Sequence, residues 1–151
     1  MTMAILKGLM QGYLSALLDE GVVNDRFNAM VGLNNTVERR DRVVQQIETY
    51  FADVDMILAE ISLDFANSAF DFSKFASLAR QVEDKSESIG AEYMRIACPE
   101  FVKACDEMNK IMLDLTLLWV KHQFATTKRK LETFVQMERR IIRLERSNSS
   151  D

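Results

Sequence analysis

Apolar residues in this chain recur at helical intervals. From Val44 they run Val44, Ile47, Phe51, Val54, Leu58, Ile61, Phe65, in alternating steps of three and four. That stripe predicts one long helix burying a single face against a bundle neighbour. Asn35-Thr36 offers its start and Asn67-Ser68 its end. The last third repeats the pattern. Leu117, Val120, Phe124, Leu131 and Phe134 share one face with Thr127 in the gap, predicting a helix from about Lys110 to about Arg146.

Two shorter helices are expected between these, near Phe72–Ser88 and Ala91–Met108, divided by Ile89-Gly90. Pro99 falls inside the second, where a missing N–H predicts a bend or break. The N-terminal segment predicts a helix near Met3–Leu18 and another that starts after Asn24, a good cap, and ends near Gly32. The expected fold is all-α, with six helices in a single domain over 1–151. Two helices lie in 1–33, an antiparallel four-helix bundle spans 34–147, and 148–151 is a flexible tail.

Composition agrees with that picture. Only 5 Gly and 1 Pro in 151 residues favour long helices over a many-stranded sheet. Hydrophobic residues at 48% and charged residues at 28% make an ordinary globular mix, and the length suits one core. A net charge of −4 argues against a nucleic-acid partner. The basic C-terminal stretch KRKLETFVQMERRIIRLER carries several Glu and reads as the solvated face of a long helix. No signal-like N-terminus is present, and LTLLWV is too short to span a membrane, so an intracellular protein without a membrane partner is expected.

Most site chemistries are excluded. His122 is the single histidine, which rules out two-histidine zinc motifs and the Glu-x-x-His pairs of di-iron bundles. No phosphate-cradling glycine loop and no G-x-S-x-G elbow occurs. Cys98 and Cys105, seven apart on one helix, lie ~10 Å apart in rise and read as small core residues. The nine methionines and nine phenylalanines read as core filling rather than a ligand cavity. No metal, cofactor or enzymatic activity is expected.

On a helical wheel of residues 72–89, Phe75, Leu78, Ala79, Val82 and Ile89 form the core stripe. Arg80, Glu83, Asp84 and Glu87 fall opposite, as one exposed patch. The plain reading is a charged outer face with Arg80 paired to Glu83 and Asp84, worth a few tenths of a kcal/mol per pair.

A sharper reading comes from SIGAEYMRIACPEFVKACDEMN, which resembles the plant-type histidine-containing phosphotransfer (HPt) proteins. That family carries a pattern close to H-Q-x-K-G-S-S-S-S-I-G-A, followed by a helix with an alanine-cysteine pair. EGVVNDRFNAMVGL resembles the family's second helix and KLETFVQMERRI its last, so the likeness covers nearly the whole chain. The resemblance implies a small helical bundle that exposes a phosphorylated histidine on one bundle helix.

Carried over position by position, Ser88, Ile89, Gly90 and Ala91 match, as do Gln81 and Ser86. Arg80 stands where the histidine belongs, Glu83 replaces the lysine, and Asp84 replaces the glycine. Lys85 and Glu87 replace serines. Phosphotransfer needs a neutral imidazole nitrogen as nucleophile, whereas guanidinium stays protonated. Glu83 would repel phosphate, and Asp84 fills the room that glycine leaves for a partner. The chain therefore resembles the plant pseudo-phosphotransfer proteins, which lack the histidine.

That resemblance implies a negative regulator of a cytokinin-type phosphorelay, monomeric, in cytoplasm and nucleus. Its partners would be receiver domains of hybrid histidine kinases and response regulators. Docking in the family also involves the second helix, matched by Val22, Val23, Phe27, Met30 and Leu33, some of which must face the core. Receiver pockets are acidic, so Arg80 favours docking while Glu83, Asp84 and Glu87 oppose it. Two other readings stay open: a helical adaptor that has lost receiver binding, and a phosphocarrier through His122, an expected surface residue followed by Gln123.

Overall fold

The computed structural model describes residues 2–32 and 36–149. Six helices follow one another: α1 (Thr2–Asp19), α2 (Asp25–Val31), α3 (Val37–Ala66), α4 (Phe72–Ile89), α5 (Glu92–Asp106) and α6 (Lys110–Ser149). The last four form the expected antiparallel bundle. α1 packs on α6, and α2 rests chiefly on α4. Asn35 and Leu33 lie outside the described residues.

The predicted caps act where the sequence puts them. Asn24 accepts from the Arg26 N–H at 3.0 Å, and Thr36 accepts from the Arg39 N–H at 3.2 Å. Asn67 closes α3 as expected, and Asp71, a cap the sequence reading did not name, accepts from the Lys74 N–H at 3.0 Å. Asn24, Thr36 and Asp71 each satisfy a donor that the first helical turn leaves open, and the Asn67 N–H serves carbonyls of the last turn of α3.

The α3 stripe is buried from Val44 to Ile61, with Phe65 half-buried at its end, and the helix also buries Val43, Tyr50 and Ile57. A second row is covered because α3 packs against both α4 and α6. Leu117, Val120, Phe124, Thr127, Leu131 and Phe134 are all buried along α6. The Thr127 hydroxyl donates to its own helix at the Gln123 carbonyl, 2.8 Å away, so it crosses the core without an unpaired donor. Phe27 of α2 meets Phe134 of α6 edge to face at 5.4 Å, tying the N-terminal helices to the bundle.

Two expectations need correction. α5 runs through Pro99 without a break. Pro99 lies on the exposed side, where water can serve the carbonyl deprived of its donor. α6 continues to Ser149, into the segment expected to be a flexible tail, while 150–151 lie outside the described residues. No Gly or Pro stops it, and Arg146 in its last turn complements the helix dipole.

Candidate functional site

The α4–α5 junction sets the orientation of the α4 face. Gly90 caps α4 at φ +79, and the Ala91 N–H donates to the Ser86 carbonyl at 2.8 Å. This left-handed closure is cheap only for glycine. The junction then pairs with the α1–α2 turn: the Asn24 N–H donates to the Gly90 carbonyl, and the Glu92 N–H donates to the Val22 carbonyl, each at 3.1 Å. A Cβ on residue 90 would lie 2.5 Å from the Phe27 nitrogen and closer still to Asn24 Oδ1. The Ser-Ile-Gly-Ala run is thus an architectural lock that fixes α2 against α4.

Ser86 belongs to the lock. It is fully buried, and its hydroxyl shares a 2.6 Å hydrogen bond with Tyr50 of α3. Val22, Val23 and Phe27 are buried as well. These four candidate binding residues are corrected to core positions. Ser86 follows Phe75, Ala79 and Val82 on the core stripe, Val22 and Val23 of the α1–α2 turn are buried against the α4–α5 junction, and Phe27 of α2 packs on Phe134 of α6. Met30 is half-buried and reaches the surface.

The outward face of α4 carries Arg80, Gln81, Asp84 and Glu87, with Glu83 half-buried beside them. Arg80 does not pair with Glu83 or Asp84 as the plain reading has it. Its guanidinium sits 3.6 Å from Asp106 at the end of α5, with both side chains more than half exposed. Lys85 turns away to Asp53 of α3 at 3.2 Å. Arg95 of α5 is engaged by Glu92, which also accepts from Asn24 Nδ2 at 2.7 Å. Arg80, Lys85 and Arg95 are thus each partnered by a carboxylate, while Glu83, Asp84 and Glu87 add negative charge to the face.

Burial and the neighbouring Asp84 and Glu87 charges push the Glu83 carboxyl above its ordinary range, against the pull of Arg80 and Arg95. An added phosphoryl group would enter ground already crowded with negative charge. Arg80 offers no nucleophilic lone pair there. His122 is exposed on α6, a different helix from the motif.

Beside the face, an open groove of about 590 Å³ runs between α2, α3 and α4. Met30, Gln46, Thr49, Asp84, Lys85 and Ser88 line it. It joins the one surface-reaching α2 candidate to the outward patch of α4. Among the described residues, no three His, Cys, Asp or Glu side chains gather as a metal site.

Sequence reasoning missed a buried ion pair, Arg40 of α3 with Glu138 of α6. Its signal was present: Arg40 lies one turn before Val43 and Val44, and Glu138 one turn after Phe134, both on buried stripes. Arg40 also donates to Met10 Sδ at 3.7 Å, so the pair joins three helices.

No family model matches the chain. Curated relatives do. Histidine-containing phosphotransfer protein 1 of Arabidopsis thaliana is 30% identical over 133 residues, covering 88% of this chain and 86% of that protein. Pseudo histidine-containing phosphotransfer protein 2 of Oryza sativa subsp. japonica is 29% identical over 126 residues, covering 83% and 82%. Among solved structures, a putative histidine-containing phosphotransfer protein from rice superposes with a TM-score of 0.82 at 22% identity, covering 93% of this chain and 99% of that one. The corresponding Medicago truncatula structure gives 0.80 at 18% identity, covering 90% and 92%.

Proposed function

The chain belongs to the histidine-containing phosphotransfer family, and on that premise we propose that it is a non-catalytic member that restrains a multistep phosphorelay. It competes for receiver domains of histidine kinases and response regulators without passing phosphate on. The whole chain acts as one unit in this reading. It works in cytoplasm and nucleus, within cytokinin-type signalling. Among the described residues, no helix is long and apolar enough to cross a membrane.

The observation that carries the proposal is Arg80. It stands exposed on α4 at the motif's histidine position, held beside Asp106. A guanidinium cannot accept a phosphoryl group, yet its charge suits an acidic receiver pocket. Met30 and the adjoining groove supply a further contact surface on the same side.

One observation favours a second reading, an adaptor that no longer binds receivers. The carboxylates of Glu83, Asp84 and Glu87 crowd the face, and Arg80 already has a partner in Asp106. Unit charges 4 Å apart interact by about 4 kcal/mol at an effective dielectric of 20, enough to offset what Arg80 contributes.

A competition assay separates the two. This protein is added to a labelled receiver domain and an intact phosphotransfer protein, and label transfer is followed. Dose-dependent slowing that saturates, with no label on this chain, is the expected result. Unchanged transfer at all concentrations would leave the adaptor reading. Acid-labile phosphate on this chain would overturn both and point to His122.

A further inference from the structure

The groove between α2, α3 and α4 starts one turn beyond Arg80 and leads away from it. At the near end lie Asp84 and Lys85 of α4, with Asp53 of α3 level with Lys85. The far end is Arg42, near the start of α3. Asp53 and Arg42 are eleven residues apart on one helix, ~16 Å of rise. Arg80 lies five residues before Lys85 on antiparallel α4, in the opposite direction. Arg80 and Arg42 are therefore ~24 Å apart along the bundle. A standard interface takes ~800 Å² from each partner, a patch ~30 Å across, so one docked domain covers both.

The two ends differ in charge. The charged residues lining the groove are Arg42, Asp53, Asp84 and Lys85. Lys85 and Asp53 neutralise each other at 3.2 Å. Asp84 belongs to the Arg80 end, with Glu83 and Glu87 of the same helix. Arg42 is exposed, and its side chain has no hydrogen-bond or ion-pair partner among the described residues. Glu38 and Asp41 lie within a turn of it on α3, and neither pairs with it. Asp41 instead accepts from Gln45 Nε2 at 3.0 Å, and Glu48 serves Arg139. The exposed charges of α2, Asp25 and Arg26, are of opposite sign and do not line the groove.

The groove also has contacts to give between its ends. Gln46 and Thr49 of α3 and Ser88 of α4 are exposed, with side chains that have no partner among the described residues. Beneath them Tyr50 and Ile89 make a buried floor, and Met30 stands half-buried at the edge. The α4 face offers less to an acidic partner. Arg80 already has Asp106 beside it, and three carboxylates of α4 surround it.

We propose that this chain holds receiver domains mainly through the groove, with Arg42 as its charged anchor, rather than through Arg80, and that Arg42 decides which receivers are captured. The inference rests on the competitor reading above and deepens it. A favoured receiver carries a carboxylate ~24 Å from its acidic pocket, where it meets Arg42 while the pocket faces Arg80. It also carries an apolar side chain between the two, to rest on Met30 and Ile89. The planar guanidinium of Arg42 binds such a carboxylate with two parallel hydrogen bonds, which gives direction as well as affinity.

The test is isothermal titration calorimetry of the full chain against a set of purified receiver domains. Arg42→Glu is expected to raise the dissociation constant of the tightest receiver ~10-fold or more, as anchor residues do. Thr49→Trp, which fills the middle of the groove, should act in the same direction by a similar factor. Arg80→Ala should change it by less than ~3-fold, since an exposed, already paired cation contributes little. All three positions are exposed, so circular dichroism and melting should stay as in wild type. The spread of affinities across the set should narrow in Arg42→Glu. Binding that the two groove variants leave unchanged, or that Arg80→Ala abolishes, overturns the inference and leaves the competitor reading in place. Wild-type protein that binds none of the receivers overturns both.

Discussion

Asn24 and Gly90 hold each other in place. The Asn24 N–H donates to the Gly90 carbonyl at 3.1 Å while the Asn24 side chain caps α2, and Gly90 has no Cβ to push that side chain away. One backbone contact thus fixes both the start of α2 and the end of α4. The orientation of the α4 face follows from it.

Gly90→Ala is expected to destabilise the fold by about 2–4 kcal/mol, combining left-handed strain with a clash against the Phe27 backbone. Ser88→Ala, at an exposed position of the same motif, should change stability by less than ~0.5 kcal/mol. Urea unfolding of the two variants checks the contrast. Equal effects would show that the motif is not a lock.

Tyr50 and Ser86 form a buried hydroxyl pair, and burial pushes the Tyr50 phenol well above its ordinary range. Either single change, Tyr50→Phe or Ser86→Ala, leaves a buried partner unsatisfied, at a cost of about 1–3 kcal/mol. The double variant should cost less than the two singles added together, with a coupling of ~1 kcal/mol. A double-mutant cycle in urea measures it.

The helices were legible because their signals are local. Asn24, Thr36 and Asn67 are caps that need no tertiary knowledge, and the Val44–Phe65 stripe repeats without interruption. The pairing of Arg80 was not legible, because Asp106 lies 26 positions away on another helix and comes close only once α4 and α5 pack. Ser86 was misplaced for a related reason. The motif suggested a surface role, while the spacing from Val82 already put it on the core stripe.

Arg40 and Glu138 are a buried pair whose Nε and Oε2 atoms have no protein partner. Glu138→Ala leaves the Arg40 charge uncompensated and should cost about 3–5 kcal/mol. Arg40→Met with Glu138→Leu should cost far less, since both charges leave the core together. Burial raises the Glu138 carboxyl above 4.5 despite Arg40. The folded state therefore takes up this proton before the unfolded chain does. The associated stability is full below the unfolded pKa and is lost as pH rises through the folded one. Stability measured across the window just above pH 4.5 should fall with rising pH more in wild type than in Glu138→Gln.

Cys98 and Cys105 are buried free thiols, pushed up to about 12 and about 11 chiefly by loss of solvent. Only the thiolate is nucleophilic, so neither should react with a thiol reagent at neutral pH while the chain is folded. Labelling should instead proceed at the rate of unfolding. Fast labelling of native protein would show that α5 opens locally.

Restoring transfer should need three changes. Arg80→His supplies the imidazole nucleophile, but Glu83 and Asp84 still oppose an incoming phosphoryl group, and Glu87 stays nearby. The single variant is expected to take label from a phosphorylated receiver only weakly. Adding Glu83→Lys supplies a compensating cation one turn away, and Asp84→Gly clears both a charge and a side chain. Each removed repulsion of ~1.4 kcal/mol is a factor of ten in rate, so the triple variant should exceed the single by ~10-fold or more. Asp106→Asn probes the remaining contact: it frees Arg80 from its partner and should tighten receiver binding by wild-type Arg80. If Arg80→His alone transfers as fast as the triple variant, the carboxylates do not limit the site. The proposed inability to carry phosphate would then rest on the missing histidine alone.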